Sequence, residues 1–450
     1  MTSRPWTLAP ADEVAATPVG LYIHVPFCER RCGYCAFNTY TASDVSSQSR
    51  SDYLLGAVAE IRLAATTLSR SRLESIYLGG GTPTILGIGE IEQILRVTRE
   101  QFDVPDNAEI TIEANPDGLD RDYLRGLRQL GIKRISFGMQ STSRRVLDLL
   151  DRTHDPALAL RAVEMAHSVG FDHVSLDLIY GTPGELTTDF EDSLTAAVAT
   201  GVDHISAYSL GIESGTKLAA RVRSGALARP SDDDAAQRYE VADDLLSAAG
   251  FGWYEISNWA RSPEAQSRHN LLYWANANWW GIGPGAHSHL NGVRWWNVNH
   301  PDVWAQPLLA AEPDQSGPGR GASDQSGPDR GAQDQSGSHV AGYEQLDAAQ
   351  RRLEHVMLGI RLSSGLSIDG LIDPEAIADL SHEGLITVVP SSLGPAEETD
   401  AAATGGPVTR DPSRERLDGG WGEDEAKEPD RLVLTRRGRL VADRVVDRLT

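Results

Sequence analysis

Cys28, Cys32 and Cys35 are the only cysteines in 450 residues, and all three fall in one loop, C-x3-C-x2-C, just after a short β-rich run. Thiols this close in sequence can converge on one metal centre without help from a distant segment. A structural zinc site ordinarily takes four protein ligands, and each iron of a four-iron cube is usually held by a cysteine. No fourth cysteine exists here. A [4Fe-4S] cube bound by these three would leave one iron open to an outside ligand, and S-adenosylmethionine supplies a suitable amine and carboxylate. The same residues leave open a Cys3His zinc site completed by His24 or a later histidine. The loop taken alone favours iron–sulfur.

A second set of residues suits a zwitterionic, hydroxyl-rich ligand. Gly79, Gly80 and Gly81, followed by Thr82, would let backbone amides approach a bound carboxylate or amine, since no Cβ intrudes. Glu113 and Asp177 offer carboxylates for an ammonium group and ribose hydroxyls. Gln140 adds an amide, and Arg152 can pair with a carboxylate through two parallel bonds. Any one of these could serve as an ordinary cap or salt-bridge partner. Their common placement makes the case.

That placement follows from the elements that carry them. From residue 23 to about residue 213 a β-rich run, a loop and an amphipathic helix recur six times. The β runs are YIHV, SIYLGG, EITIEAN, RISFGMQ, HVSLDLIYG and HISAYSLGIE. Gly131, Gly170 and Gly201 each follow a helix where a left-handed cap is expected. Alternation of this kind implies parallel strands joined by right-handed crossovers. Six units are too few for an eight-strand barrel and suit an open α/β partial barrel, (β/α)6, with reactive groups at the C-terminal strand ends. The cysteine loop, the glycine triplet, Glu113, Gln140 and Asp177 all fall at such ends.

Residues 1–19 read as an N-terminal arm, 20–230 as the partial barrel and 231–311 as an extension crowded with Trp274, Trp279, Trp280, Trp295 and Trp296. At 312–341 the repeat DQSG recurs at Asp314, Asp324 and Asp334, a composition too poor in apolar residues to offset chain entropy, and disorder is expected. Residues 342–450 read as a small winged-helix-like α+β domain, interrupted by a second disordered insertion at 391–429.

The formal charge of −23 argues against a nucleic-acid surface. No apolar run is long enough to span a bilayer, and the N-terminus lacks a signal-peptide core. Three clustered thiols with no partners elsewhere point to a reducing compartment, the cytoplasm.

The motifs LYIHVPFC, GGGTPT, TIEANP, SFGMQS followed by RTH, and SLDLIYGTPGE together resemble the radical S-adenosylmethionine superfamily, in its oxygen-independent coproporphyrinogen dehydrogenase branch. The resemblance implies a partial barrel of radical SAM type, with Cys28, Cys32 and Cys35 as cluster ligands. It implies Tyr22, Tyr34, Gly80, Gly81, Thr82, Glu113, Gln140, Arg152 and Asp177 as contacts of S-adenosylmethionine. Two functions compete within the branch. The dehydrogenases carry another cysteine two residues past the third ligand and a longer N-terminal arm; here that position is Phe37, and only about twenty residues precede the barrel. The segment HNLLYW, with His269, Asn270, Tyr273 and Trp274, resembles the signature of the haem-chaperone members. The chaperone reading implies haem as cargo, His269 and Tyr273 at the haem site, and an acceptor apoprotein such as a membrane-bound respiratory protein. His269 is the candidate axial ligand, with His287 and His289 as alternatives that the sequence does not rank. The cluster then has a regulatory or assembly role, and no residue is nominated as catalytic. The alternative is an enzyme that oxidatively decarboxylates coproporphyrinogen III.

Overall fold

The computed structural model describes residues 4–9, 18–68, 71–152, 155–311, 338–368, 372–390 and 430–450. The six expected β runs form strands β1 (Val19–Val25), β2 (Leu73–Gly80), β3 (Glu109–Ala114), β4 (Arg134–Gln140), β5 (His173–Tyr180) and β6 (His204–Ser209). They lie side by side in sequence order, each parallel to the next. Helices cover one face, the longest being Ser49–Thr67. Along each strand apolar residues alternate with polar ones, so one face packs into the core; Leu21, Ile23, Ile76, Leu78, Ile112, Ile135 and Leu176 are fully buried. Gly170 ends the helix Pro156–Val169 in the left-handed conformation, φ 84°, as its position in the sequence suggested.

The sheet does not stop at six strands. Strands β7 (Gly252–Glu255) and β8 (Asn258–Ala260) form a hairpin added antiparallel to β6. Strand β9 (Asn278–Ile282) pairs parallel with β1 on the opposite side. Then β10 (His287–Leu290), β11 (Val293–Asn297) and β12 (Val340–Gln345) continue the sheet antiparallel. The result is an open twelve-stranded sheet with β12 and β7 at its edges. The aromatic-rich stretch 231–311 therefore completes the same sheet, and Trp280 and Trp295 are buried in its main core. Strand β12 begins at Val340, inside the stretch expected to be disordered. Its backbone pairs with β11 from Asn297 to Val293, which fixes residues 340–345. The remainder of that stretch, 312–337, and the second insertion, 391–429, lie outside the described residues.

The C-terminal residues build a separate three-stranded antiparallel sheet from β13 (Leu366–Ser367), β14 (Ile386–Val389) and β15 (Arg431–Leu434), in the order β13-β15-β14. The helices Ala348–Gly359, Pro374–His382 and Ala442–Leu449 pack on it around Ile360, Leu380, Leu432 and Val445. The order is helix, strand, helix, two strands and two helices. Arg439 ties it to the barrel by a bidentate pair with Asp243, at 2.9 and 2.7 Å. Among the described residues no helix is long and apolar enough to cross a membrane.

Candidate cofactor site

The cysteine loop is pinned on three sides. At its base Phe27 and Tyr40 form a bridge, with Cys28 N donating to Tyr40 O at 2.9 Å and Tyr40 N to Pro26 O at 2.7 Å. On the barrel side the glycine triplet runs against it: Gly81 N donates to Val25 O and Thr82 N to Phe27 O, both at 2.8 Å. A Cβ at Gly81 would lie 2.6 Å from Phe27 O and 2.8 Å from Val25 O, so this approach of two backbones requires glycine. On the far side Gly33 N donates to Leu150 O, and Gly33 O accepts from Leu218 N.

From the loop a chain of hydrogen bonds crosses the strand ends. The Thr82 hydroxyl points at Cys28 Sγ, 3.6 Å away, and accepts from Asn115 Nδ2 at 3.1 Å. Arg152 Nη1 donates to Asn115 Oδ1 and Nη2 to Gly138 O, both at 2.9 Å, and the guanidinium also reaches the Cys32 thiol. The two ends of the guanidinium fork are thus held by protein acceptors, a different arrangement from the open carboxylate clamp expected from sequence. Its buried Nε has no partner. Glu113 accepts from the Tyr77 hydroxyl at 2.8 Å and from Gly80 N at 3.0 Å, and burial pushes its carboxyl up to about 7. Asp177 accepts from the Ser136 hydroxyl, 3.0 Å from each oxygen, and burial raises it too. Gln140 sits at φ 64°, beside a break in the β4–β5 register; such left-handed backbone on a side-chain-bearing residue costs energy and often marks a functional position. Tyr34 packs on the apolar cluster that includes Leu150 and Ile179.

The three cysteines, the nine residues expected to contact S-adenosylmethionine, and His269 and Tyr273 all line one cavity of about 710 Å³ at the C-terminal end of the parallel strands, whereas Gly79, Trp274, His287 and His289 do not. Glu213 also lines it, though β6 ends at Ser209 and not at Glu213. The sequence reading missed Tyr77, Ser136 and Asn115's bridging role. A tyrosine or serine on a buried strand looks like ordinary core, and only the pairing of β2, β3 and β4 brings these to the carboxylates.

The zinc alternative finds no ligand set. His24 is engaged at both ring nitrogens, Nδ1 2.9 Å from the Tyr22 hydroxyl and Nε2 2.9 Å from Asn38 O. Among the described residues no three His, Cys, Asp or Glu side chains converge on a single ion. The three free, half-buried thiols share one loop and one cavity, the donor set of a three-cysteine iron–sulfur cluster, and the orphaned Arg152 Nε fits a polar ligand beside it.

His269 stands at the cavity floor, where the helix Arg268–Trp274 meets β1 and β2. Its Nδ1 lies 2.8 Å from Ser75 Oγ and its Nε2 3.0 Å from the Tyr273 hydroxyl, while its ring stacks on Tyr77 at 4.9 Å. It is 1% exposed, and burial drives its pKa down to about 3. Both nitrogens are therefore occupied, and the two residues nominated at the haem site bind each other. Asn270 and Trp274 both bond to Glu255, so the polar groups of the HNLLYW segment are spent on anchoring its own helix.

Comparison with known proteins gives this geometry its class. The family model of the radical SAM superfamily matches residues 22–197. A protein named "Heme chaperone HemW" from Mycobacterium tuberculosis is 42% identical over 95% of this chain and 94% of its own length. Its namesake from Bacillus subtilis is 32% identical over 81% of this chain and 92% of its own. Among solved structures, the Escherichia coli coproporphyrinogen III oxidase HemN, described as a radical SAM enzyme, superposes with a TM-score of 0.70. It covers 98% of this chain and 92% of its own, at 19% identity, a likeness of fold. The chain belongs to the radical SAM superfamily and, within it, to the HemW family of heme chaperones.

Proposed function

We propose that this protein is a haem carrier: it binds haem and passes it to an acceptor apoprotein, with a [4Fe-4S] cluster on Cys28, Cys32 and Cys35 and S-adenosylmethionine beside it. Near-full-length likeness to proteins named as haem chaperones supports the cargo. The observation that carries the choice over a dehydrogenase is Phe37. It stands two residues past Cys35, is 70% exposed, and lines the mouth of the cavity. There it offers a flat apolar ring to a macrocycle, where the dehydrogenases it resembles would offer a thiol.

When bound, the cluster supplies one-electron chemistry. The chain's own residues bind and orient. Gly80, Gly81 and Thr82, whose amides bond within the protein and not to a ligand as the sequence suggested, wall the cofactor's methionine part. Glu113 and Asp177 take polar hydrogens, and Arg152 keeps positive charge beside the thiolates and the ligand's carboxylate. Tyr22, Tyr34 and Gln140 complete the walls. We place the carrier in the cytoplasm because its thiols are unpaired, and we read its acceptor as a membrane-bound protein. Nucleic acid is not among its partners.

Two measurements on one preparation test this. Anaerobic reconstitution should load about four irons per chain with a broad visible absorption. Stoichiometric zinc persisting after reconstitution would defeat the cluster assignment. Haem titration should then give a saturable Soret change, and incubation with coproporphyrinogen III under reducing conditions should give no decarboxylated product. Product without haem uptake reverses the choice of function.

A further inference from the structure

A second cavity, of about 1130 Å³, adjoins the first and shares Tyr22, Arg31, Phe37 and Tyr273 with it. It is as large as ligand sites commonly become, about 300–1,000 Å³. One wall is the segment that follows the cysteines. The others are the β9–β11 edge, with Trp279 and Trp296, and Met357 and Leu358 from the helix Ala348–Gly359.

An iron ligand needs a ring nitrogen with a lone pair to give. Four histidines line the two cavities, His24, His204, His269 and His287, and three of them have none to spare. His204 is taken up by Ser175 Oγ at 2.7 Å and by the Tyr254 hydroxyl at 2.8 Å. His24 and His269 are engaged at both nitrogens. In His289, Nδ1 lies 2.9 Å from Ala277 O and Nε2 accepts from Gly292 N at 2.9 Å. His287 differs. It begins β10, is exposed into the second cavity, and stacks on Trp296 at 5.9 Å with an interplanar angle of 24°. Its ring makes no hydrogen bond among the described residues.

The charges sort in the same way. Arg294 is neutralised by Glu344 at 2.8 Å and by Glu354. Arg31 is exposed at the junction of the cavities, and its Nε donates to Thr39 Oγ1 at 3.2 Å. Among the described residues no carboxylate pairs with it.

We propose that the second cavity is the haem seat, with His287 as the iron's axial ligand, Trp296 and Phe37 as aromatic faces, and Arg31 as partner of a propionate. This rests on the haem-carrier reading and assigns its site away from His269. The role of the HNLLYW segment is then to build the wall between the two cavities, through Tyr273.

The test is haem titration of the reconstituted full chain, followed by Soret and electron paramagnetic resonance spectra. His287→Ala should weaken haem binding by about tenfold or more and remove the histidine-ligated signature, with iron content and S-adenosylmethionine affinity unchanged. His287→Cys should convert the spectrum to a thiolate-ligated one. Arg31→Glu should weaken binding of haem but not of its dimethyl ester, which lacks propionate charge. His287→Ala and His287→Cys with wild-type spectra would overturn the assignment. So would loss of binding in His269→Ala with iron content retained while His287→Ala binds normally. A wild-type chain that takes up no haem removes the haem-carrier reading itself, and that outcome is read before any variant is made.

Discussion

Most polar atoms at the strand ends already have partners, so what remains unsatisfied shows where a ligand fits. The Arg152 Nε is buried yet has no acceptor, while Nη1 and Nη2 are held by Asn115 Oδ1 and Gly138 O. On the proposed cofactor assignment, replacing Arg152 by alanine takes the positive charge away from the ligand's carboxylate, and it leaves Asn115 Oδ1 without its donor. Arg152→Ala should weaken S-adenosylmethionine binding by roughly 1.5–3 kcal/mol, measured calorimetrically on reconstituted protein; an unchanged dissociation constant would remove Arg152 from the site. Gly81→Ala acts through the backbone instead. Its methyl group would meet two carbonyl oxygens that cannot swing aside, so the loop must separate from β2. Iron retention after reconstitution should fall well below that of the wild type, with little change in far-ultraviolet circular dichroism.

At the scale of elements, the helix Arg268–Trp274 is held to the barrel by a buried ion pair. Arg134 Nε donates to Glu109 Oε2 at 3.0 Å, with both side chains at most 5% exposed. Glu109 Oε1 accepts from His269 N at 3.1 Å, and Arg134 Nη2 donates to Gln266 O at 3.0 Å just ahead of the helix. Removing one partner strands the other charge in the core, so Glu109→Ala should cost about 3–5 kcal/mol, seen as a lower urea midpoint. Glu109 and Arg134 were read from sequence only as the first residues of β3 and β4. Strands β1 to β6 and their helices were legible because each carries its own apolar period and helix boundary. Strand β9 was not, because NWWGI has no alternation of its own and its place depends on pairing with β1, more than two hundred and fifty residues earlier. The cofactor cavity was legible for a related reason: its residues sit at the ends of locally readable strands. His269 was legible only as a motif member, because a motif names a residue without showing whether its nitrogens are free.

At the scale of the whole molecule, one carboxyl joins the first and last parts of the sheet. Glu60, on the helix Ser49–Thr67, is fully buried. It accepts from Gly283 N just after β9 and from Asn297 Nδ2 at the end of β11, both at 2.8 Å. His339 Nε2, just before β12, lies 3.5 Å away, and its ring stacks on Trp6. Burial pushes the Glu60 carboxyl up to about 8 and the His339 imidazole down to about 4. The two act in opposite directions on stability. The lowered histidine favours the fold increasingly as pH rises from about 4 to its ordinary value of 6.5, because the unfolded chain then holds the extra proton. The raised carboxyl does the reverse from its ordinary value of 4.5. There the folded chain holds the extra proton, and the stability this confers is lost as pH rises through about 8. Below 6.5 the two partly cancel; above it only the carboxyl contributes. Glu60→Gln imitates the protonated form, so it should match the wild type at about pH 4.5 and lose less stability as pH rises from there. Between pH 6.5 and 8 the urea-unfolding curves should diverge by roughly 2 kcal/mol in favour of the variant, at 1.36 kcal/mol per unit. Parallel curves across that range would mean that Glu60 is ionised in the folded protein, and that the edge strands are held by a buried ion pair with His339.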